Sequence, residues 1–270
     1  MTAASDRTEI MQRIREAIDA AVEIFDRFTP GKIEAADKGG NDPVTEADMA
    51  VNDALKKLLH REGEGWLSEE TRDDRNRLNY DRVWVVDPLD GTREFVQGIP
   101  EWCVSIGLVE NGRAVAGGIC NPASRETIIG SIETGVTYNG QPAKPSPRTS
   151  LDGAVVLASR SEIKRGEWER FADSPFDVKP TGSVAYKLGL VAAGQCDTTW
   201  TLAPKNEWDI AAGVALITAA GGFVKTLDGD PPTFNNESTL LSGLIVGPAG
   251  LEREIDQLLA PVIAEIKTAR

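Results

Sequence analysis

The sequence predicts an α/β protein of two lobes, an antiparallel sheet lobe followed by a smaller lobe in which strands alternate with helices. Short strands separated by Asn-Gly and Asn-Pro turns follow one another between residues 102 and 140, a spacing typical of antiparallel sheets. From residue 154 onward the strand patterns are separated by helical ones. Residues 141–150 are rich in proline and polar side chains, so we place the lobe boundary there, with lobes at 1–145 and 146–270.

Two amphipathic helices are predicted at the start of the chain. Apolar residues recur at helical spacing within residues 8–28, and a Pro-Gly pair ends the pattern. Residues 38–43 form a predicted loop, after which Thr45 begins the second helix. Thr45 and Asp48 match a capping box, in which a hydroxyl and a carboxylate satisfy backbone N–H groups. This local role would account for both residues; the alternative is that Asp48 also faces an active site.

An apolar strand at residues 84–86 leads into a turn that carries two carboxylates. Asp87 and Asp90 are three residues apart across a Pro-Leu segment, and Gly91 and Thr92 follow. Turn chemistry alone would explain this composition, because Asp and Gly are common in turns that bind nothing. The alternative is a metal site, which requires further carboxylates from other parts of the chain.

Such carboxylates lie at the boundaries of other predicted elements. A short strand at residues 66–68 runs into the paired acids Glu69 and Glu70, and a helix predicted at 208–220 opens with Asp209. An Asp in a first helical turn gains about 0.3–1 kcal/mol from the helix dipole and needs no metal. A cleft between the lobes could nevertheless collect acids from all these boundaries. The candidate ligands are therefore Asp48, Glu69, Asp87, Asp90 and Asp209.

The same periodicities predict the remaining elements of the second lobe. Strands are predicted at residues 154–158, 196–201, 223–227 and 244–246. Helices are predicted at residues 162–171, 182–193 and 208–220, with a last one from residue 251.

The composition excludes several classes of function. The formal net charge is -13, so the chain has no basic surplus with which to displace counterions from a nucleic-acid polymer. Apolar runs are far shorter than the roughly 20 residues that span a bilayer, and the N-terminus lacks a signal-peptide pattern, so we expect a cytoplasmic protein without a membrane partner. Three scattered cysteines indicate neither disulfides nor a thiolate zinc site, and a single histidine, His60, disfavours histidine-based catalysis.

Four motifs together resemble those of the inositol monophosphatase superfamily of lithium-sensitive, magnesium-dependent phosphomonoesterases. They are residues 42–48 (Asp-Pro-Val-Thr-Glu-Ala-Asp), the pair Glu69-Glu70, residues 84–95 (Trp-Val-Val-Asp-Pro-Leu-Asp-Gly-Thr-Arg-Glu-Phe), and residues 208–213 (Trp-Asp-Ile-Ala-Ala-Gly) with 219–222 (Ala-Ala-Gly-Gly). These motifs extend over almost the whole chain. The resemblance implies a layered αβαβα fold, which agrees with the two lobes that periodicity predicts, and hydrolysis of a small-molecule phosphate ester.

The resemblance also implies a set of metal ligands. Glu69, Asp87 and the carbonyl of Leu89 would bind a first Mg²⁺, and Asp87, Asp90 and Asp209 a second. Glu69 would help to hold a third, weaker ion, which makes two to three ions in the site. Carboxylate and carbonyl oxygens are the ligands that such a hard cation prefers.

Other residues of these motifs would act on water and phosphate. By resemblance, Thr92 with Asp48 would orient and deprotonate the attacking water. Gly91 lets the backbone turn tightly, and the N–H groups that follow it at the start of a short helix could receive phosphate oxygens. Ser68 stands where the family usually has glycine, so either Glu69 or Glu70 could be the metal ligand. The position in the motif favours Glu69.

Three features resemble the branch that hydrolyses 3'-phosphoadenosine 5'-phosphate: residues 93–95, 158–161 and 206–209. Lys187, shortly after Ser183, matches a lysine that this branch places near a second phosphate, so Arg93, Ser183 and Lys187 are predicted substrate contacts. Alternatively, the basic residues are solvated surface charges and the substrate is inositol 1-phosphate or another sugar or polyol phosphate. Homodimers are common in the inositol branch and monomers in the nucleotidase branch, so a homodimer or a monomer is expected according to the substrate.

Rival functions have weaker support in the sequence. Asp228 and Asp230 have the spacing of an aspartyl-phosphate enzyme but lie in a Gly- and Pro-rich turn. Cys120 and Arg125 are one residue too close for a loop that cradles phosphate on a thiolate. A non-catalytic acidic binding protein on a phosphatase scaffold is the alternative outside enzymology.

Overall fold

The structure, a computed structural model, describes residues 3–37 and 43–269. Most of the loop predicted at 38–43, and with it the first residue of the Asp-Pro-Val-Thr-Glu-Ala-Asp motif, lies outside the described residues. The helices of the described part are α1 (Ala3–Phe25), α2 (Glu46–Leu59), α3 (Thr92–Gln97), α4 (Arg160–Lys164), α5 (Val184–Ala192), α6 (Glu207–Ala220) and α7 (Glu252–Ala269). None of these helices has the length and apolar character needed to cross a membrane.

A seven-stranded sheet dominates the first half of the chain, after a short ladder of β1 (Ala36–Asp37) and β2 (Pro43–Val44). Its strands are β3 (Gly65–Ser68), β4 (Arg82–Asp90), β5 (Cys103–Glu110), β6 (Arg113–Asn121), β7 (Glu126–Ser131), β8 (Gly135–Tyr138) and β9 (Gln141–Ala143). They lie in chain order, and all neighbours are antiparallel except β3 and β4, which are parallel. The predicted antiparallel sheet is confirmed. It extends through β9 into the segment that composition indicates as a linker.

The second half forms a five-stranded mixed sheet and a small ladder. Its strands are β10 (Val155–Ser159), β11 (Asp177–Thr181), β12 (Thr198–Thr201), β13 (Lys205–Asn206), β14 (Gly222–Lys225), β15 (Leu240–Leu241) and β16 (Leu244–Pro248). The sheet order is β11-β10-β12-β16-β14, in which β10 is parallel to both neighbours and β16 antiparallel to both of its own. β13 and β15 pair separately.

Two details of the second half differ from the sequence-based expectation. The helix predicted at 162–171 is wrong: α4 ends at Lys164, and a separate 3₁₀ turn forms at Glu169–Phe171. Gly166 lies between them with a φ of 77°, a left-handed conformation that interrupts a helix. β11 is an additional strand, and its residues are mostly exposed at the sheet edge, so they carry no apolar alternation.

The elements stack in five layers. One face of β4 places Trp84 and Val86 against α1 and α2, and the other places Val83 and Val85 in a core shared with α5 and α6. That second core also contains side chains of β10 and β16, so α5 and α6 lie between the two sheets. α7 packs on the outer face of the five-stranded sheet. This is the predicted αβαβα arrangement. The division at residue 145 stays a prediction, since the central helices pack against both halves.

Small residues bring α6 close to the seven-stranded sheet. A Cβ atom added at Gly107 of β5 would lie 2.9 Å from the Cβ of Ala211, and one at Gly117 of β6 would lie 2.7 Å from the carbonyl oxygen of Ala212. Backbone therefore approaches backbone, and larger side chains would push the helix away. This contact determines how the first turn of α6 sits over the end of β4.

Candidate metal centre

Three carboxylates from distant parts of the chain meet where β4 ends. Asp87 and Asp90 belong to β4, and Asp209 belongs to the first turn of α6. One oxygen from each lies within 4.8 Å of the others. Asp87 is only 1% exposed, whereas Asp90 and Asp209 are half-buried and line a cleft of about 320 Å³.

A change of register lets β4 deliver two carboxylates to one place. Asp87 is opposite Ser105 of β5 and Asp90 is opposite Cys103, so one extra residue of β4 is accommodated between the two pairs. The N–H of Leu89 donates a hydrogen bond of 3.0 Å to Asp87 Oδ1, which closes the turn. Gly91 follows with a φ of 96°, and a Cβ there would lie 3.0 Å from the carbonyl oxygen of Glu101. Glycine is therefore required by both conformation and space.

The capping interactions of α6 and α2 orient their acids without preventing a second role. Asp209 accepts a hydrogen bond of 3.1 Å from the N–H of Asn206, which completes a capping box. Asp48 likewise caps α2, with its Oδ2 accepting from the N–H and hydroxyl of Thr45 at 2.8 and 2.5 Å. The predicted capping box of Thr45 and Asp48 is thus confirmed.

The second carboxylate oxygen of Asp48 points toward the cleft residues. Thr92 places its hydroxyl 3.2 Å from Asp48 Oδ1 and 2.9 Å from the carbonyl oxygen of Leu89, and these two acceptors compete for its single proton. Burial raises the pKa of Asp48, although the hydrogen bonds from Thr45 oppose the shift. Hydrogen-bond geometry therefore connects Asp48 and Thr92, the pair predicted to act on water, with the carbonyl of Leu89, a predicted metal ligand.

Glu69 lines the cleft beside the three aspartates. Ser68 does not shift the end of β3: it pairs in register with Val86, and its hydroxyl donates a 2.7 Å hydrogen bond to Asn52. Glu70, by contrast, is not among the described residues that line the cleft. The geometry therefore favours Glu69 as the acid directed at the aspartates.

The electrostatics of the cluster call for a cation. Burial raises the pKa of Asp87 well above its usual range, and the charges of Glu69, Asp90 and Asp209 raise it further. Burial also raises the pKa of Asp209, with added contributions from Asp90 and Glu69, whereas the positive charge of Lys205 opposes the shift. Like charges this close are unfavourable without a counter-ion. An all-oxygen donor set of this kind fits a hard divalent cation such as Mg²⁺.

Two predicted substrate contacts instead contact protein groups around Asp90. The hydroxyl of Ser183 donates a 2.5 Å hydrogen bond to Asp90 Oδ2, which also accepts one of 2.6 Å from the N–H of Ala185. Lys187 is 4% exposed and donates to the carbonyls of Ser183 and Thr181 at 2.7 and 3.3 Å. Burial lowers its pKa, and the charge of Asp90 opposes the shift. Both residues border the cleft, but their polar atoms hold the loop that supports Asp90.

Other cations are placed differently from what their sequence context indicates. Arg160 forms two hydrogen bonds of 2.6 and 2.7 Å with the carboxylate of Glu101, which also accepts from the N–H of Gly182 at 2.6 Å. It therefore joins the two halves of the chain. Arg93, the third predicted substrate contact, is exposed on the rim of the cleft.

The sequence reasoning missed Lys205, which lines the cleft on β13. Its ammonium group is half-buried, faces the side of Asp209, and has no hydrogen-bond or ion-pair partner within residues 3–37 and 43–269. Its position four residues before Asp209 was a signal in the chain, although a lone lysine before a helix carries little specificity.

The rival phosphatase motifs lie apart from the cleft lining. Asp228 is half-exposed and pairs with Lys267 at 3.1 Å. Cys120 is buried, and burial raises the pKa of its thiol, which disfavours the thiolate that nucleophilic attack requires.

Comparison with known proteins shows the family and agrees with the fold. A model of the "Inositol monophosphatase family" matches residues 6–268. An inositol-1-monophosphatase of Mesorhizobium japonicum is 35% identical over 224 residues, which cover 80% of this chain and 84% of that protein. The solved inositol monophosphatase of Anabaena (Nostoc) sp. PCC 7120 is 25% identical with a TM-score of 0.78, over 95% and 97% of the two chains. CysQ of Bacteroides thetaiotaomicron is 28% identical with a TM-score of 0.74, over 88% and 96%.

Proposed function

The chain belongs to the inositol monophosphatase family, and from this premise we propose that its cleft hydrolyses a small-molecule phosphate monoester with Mg²⁺ bound by the aspartate cluster. Members of the family are phosphatases, so the chain is a phosphoric monoester hydrolase rather than a non-catalytic acidic binding protein. The observation that carries the proposal is the meeting of Asp87, Asp90 and Asp209 within 4.8 Å, in a cleft whose rim also carries Arg93 and Lys205.

The residues that would hold Mg²⁺ are the three aspartates with Glu69 and the carbonyl of Leu89. When bound, the metal supplies a Lewis acid that offsets phosphate charge and makes water more acidic. The number of ions, two or three, follows from the family resemblance and is part of the proposal. The all-oxygen character of these ligands and the raised pKa of Asp87 and Asp209 support the binding of Mg²⁺.

Asp48 and Thr92 would handle the attacking water. The hydroxyl of Thr92, between Asp48 Oδ1 and the Leu89 carbonyl, can accept a hydrogen bond from water while it donates its own proton to Asp48. The raised pKa of Asp48 makes this carboxylate a better proton acceptor than an exposed one. Gly91 allows the tight turn before α3, since a side chain there would collide with the carbonyl oxygen of Glu101, and by resemblance the N–H groups that follow it would receive phosphate oxygens.

We propose a substrate with a second anionic group, and 3'-phosphoadenosine 5'-phosphate is the first candidate. The position of Lys205 supports this choice, because its side chain lines the cleft, has no bonded partner among the described residues and can contact a second anionic group there. Arg93 can contribute at the rim, whereas Lys187 and Arg160 make protein contacts. Inositol 1-phosphate is the second candidate, and the similarity to the inositol-1-monophosphatase of Mesorhizobium japonicum favours it.

A substrate panel tests the proposal. Phosphate release from 3'-phosphoadenosine 5'-phosphate, inositol 1-phosphate and fructose 1,6-bisphosphate is measured with Mg²⁺, with a chelator, and with added Li⁺. We expect hydrolysis that requires Mg²⁺, is inhibited by Li⁺ and is fastest for the bisphosphate nucleotide. A clear preference for inositol 1-phosphate would overturn the choice of substrate, and turnover in the presence of chelator would overturn the metal site.

The oligomeric state and the location are further proposals. The resemblance implies a homodimer if the chain is of the inositol branch and a monomer if it is of the nucleotidase branch, and we propose a cytoplasmic location. Light scattering of the purified chain measures the first, and fractionation of the producing cell measures the second.

A further inference from the structure

A buried hydrogen-bond network, which we call the bracket, connects two segments of the proposed metal centre. It consists of Asp73, Arg77, Asn235, Asn236 and Glu207. Arg77 lies in a 3₁₀ turn at Asn76–Asn79, in the loop that follows Glu69, and is 1% exposed. Glu207 is the first residue of α6, two residues before Asp209, and has no exposed surface.

Arg77 joins its own loop to the segment between β14 and β15. Its Nε and Nη2 donate to Asp73 Oδ2 at 3.1 and 2.9 Å. Its Nη1 donates to Asn235 Oδ1 at 2.9 Å, and Nη2 also donates to the carbonyl of Asn236 at 2.8 Å. The planar guanidinium can reach all these acceptors at once, which an ammonium group cannot do.

Glu207 holds the opposite side of the same two asparagines. Its Oε2 accepts from the N–H of Asn235 at 2.8 Å, and its Oε1 accepts from the N–H and side-chain amide of Asn236, both at 2.9 Å. The N–H of Glu207 donates to the carbonyl of Thr239 at 2.8 Å. Each carboxylate oxygen of Glu207 is therefore used inside the protein, so this acid is not available as a metal ligand.

The bracket links two segments that belong to different layers of the fold. β3, which ends at Glu69, is an edge strand bonded only to β4, and α6 packs over the middle of the sheet. Glu69 and Asp209 line the same cleft, and two carboxylates that face one cleft repel each other when no cation lies between them. Without a link, this repulsion would separate the two segments whenever no cation lies between them.

We propose that Arg77 and Glu207 are positioning residues that set the metal affinity of the centre by holding the Glu69 and Asp209 segments at a fixed separation. The proposal rests on the proposed metal site. Outer partners that orient metal ligands typically contribute a factor of about 10 to 100 in metal affinity. The bracket acts on the metal ligands Glu69 and Asp209 only through the backbone, so we expect a change in metal affinity at the lower end of that range.

The test measures metal binding directly, without substrate. Arg77→Gln and Glu207→Gln remove a charge from each side of the bracket. Arg13→Gln is the matched control, because Arg13 forms a buried two-bond pair with Glu64 at the opposite end of β3. Mn²⁺ binding is followed by electron paramagnetic resonance, Mg²⁺ binding by calorimetry, and urea unfolding of the metal-free chain reports the loss of stability.

We expect Arg77→Gln and Glu207→Gln to raise the Kd for Mn²⁺ about tenfold. The Mg²⁺ concentration that gives half-maximal activity should rise by a similar factor. We expect kcat at saturating Mg²⁺ to change less than threefold. Arg13→Gln should lose stability but keep the wild-type Kd. Wild-type Mn²⁺ affinity in both bracket variants, or equal weakening in Arg13→Gln, would overturn the inference.

Two further variants keep the outcomes distinct. If Arg77→Gln does not fold, Asn235→Gly replaces it. Glycine accepts the φ of 60° at this position, and the substitution removes the side-chain oxygen to which Arg77 donates. An unchanged Kd for Mn²⁺ in Asn235→Gly would count against the bracket. Asp87→Asn tests the proposed site itself. If Asp87→Asn binds Mn²⁺ with the wild-type affinity, the site assignment is wrong. If Asp87→Asn loses Mn²⁺ binding but the bracket variants keep the wild-type affinity, the site assignment stands and the role of the bracket is wrong.

Discussion

The two ends of strands β3 and β4 hold carboxylates in opposite electrostatic surroundings. At the first end, Glu64 receives two hydrogen bonds from Arg13 at 3.0 and 2.5 Å and one from Trp84 at 2.9 Å. Arg82 pairs there with Asp6 and Glu110 at 2.6 and 2.8 Å. At the other end, Asp87, Asp90 and Asp209 converge with no arginine among the described residues bonded to them.

The same residue type therefore has two different roles in one sheet. The hydrogen bond from Arg82 lowers the pKa of Asp6 despite its partial burial, whereas burial and neighbouring acids raise the pKa of Asp87. Carboxylates that are paired inside the fold stabilise it, and those left unpaired destabilise it until a ligand supplies the charge. This contrast separates the structural acids from the acids of the site, which their sequence context alone does not.

Asp87→Asn should give the largest effect, at the unpaired end. The variant removes the proposed bridge between metals, and a loss of about 4 kcal/mol in transition-state stabilisation corresponds to a loss of about a thousandfold in kcat/KM. Removing a buried, repelled charge should leave the metal-free fold at least as stable as the wild type. Phosphate release and urea unfolding measure the two quantities. Unchanged Mg²⁺-dependent activity would contradict the site assignment.

Arg13→Gln should give the opposite outcome at the paired end. It leaves Glu64 buried beside a more distant Arg82, so we expect a loss of about 3 kcal/mol in the free energy of unfolding. The remaining folded enzyme should keep its kcat, because the pair lies at the end of β3 away from the cleft. Equal loss of kcat and stability would show that the two ends are not independent.

The acids at the two ends should make the stability of the protein depend on pH in opposite senses. Because the pKa of Asp87 is raised above its usual 3.8, the native metal-free state binds more protons than the unfolded state between the two values. Its stability therefore falls as pH rises, by about 1.4 kcal/mol for each unit of pKa difference. Asp6 acts in the opposite sense: its stabilisation is present at neutral pH and is lost as pH falls through its lowered pKa.

Urea unfolding of metal-free wild type and Asp87→Asn at several pH values isolates this contribution. We expect the stability advantage of Asp87→Asn to grow from about pH 4 toward neutrality, and saturating Mg²⁺ to reverse it by stabilising only the wild type. An advantage that does not change with pH would mean that Asp87 titrates normally in the native state.

Lys205→Met should give the smallest effect and sharpen the question of substrate. Loss of one charged contact to a second phosphate costs about 1.5 kcal/mol, which is about a tenfold rise in KM for 3'-phosphoadenosine 5'-phosphate. KM for inositol 1-phosphate should change little. Lys225→Met is the control, since Lys225 pairs with Glu252 outside the cleft. Equal rises in KM for both substrates would assign Lys205 to the scissile phosphate or to Asp209 instead.

Local patterns were sufficient where a residue's role depends on its neighbours in the chain. The strand before Asp87, the capping box of Thr45 and Asp48, and the left-handed Gly91 all follow from short-range rules and are present in the structure. The same rules failed at residues 162–171, where the glycine at 166 interrupts the predicted helix. They also missed β11, whose exposed residues have no periodic signal.

Motif position does not determine which groups the polar atoms of a predicted substrate contact bond inside the protein. Ser183 and Lys187 were predicted to contact substrate, yet their polar atoms bond Asp90 and backbone carbonyls. A polar side chain beside a cleft can be directed at a ligand or at its own protein, and both arrangements have the same sequence. Lys205 shows the converse: its position four residues before Asp209 is a weak signal in the sequence, and it lines the cleft from β13, which pairs with β15.

By itself, the sequence determined the antiparallel sheet of the first half, the alternation of strands and helices in the second, the family, and the acids at the ends of β3 and β4 and at the start of α6. Only the tertiary structure decided which acids pair with an arginine, as Glu64 does, and which converge, as Asp87, Asp90 and Asp209 do. The physical reason is range: helix periodicity, caps and turns act over a few residues, whereas the convergence of Asp87 with Asp209 and of Arg77 with Glu207 joins segments more than a hundred residues apart. Those distances are closed only when α6 packs through Ala211 and Ala212 onto the glycines of the sheet.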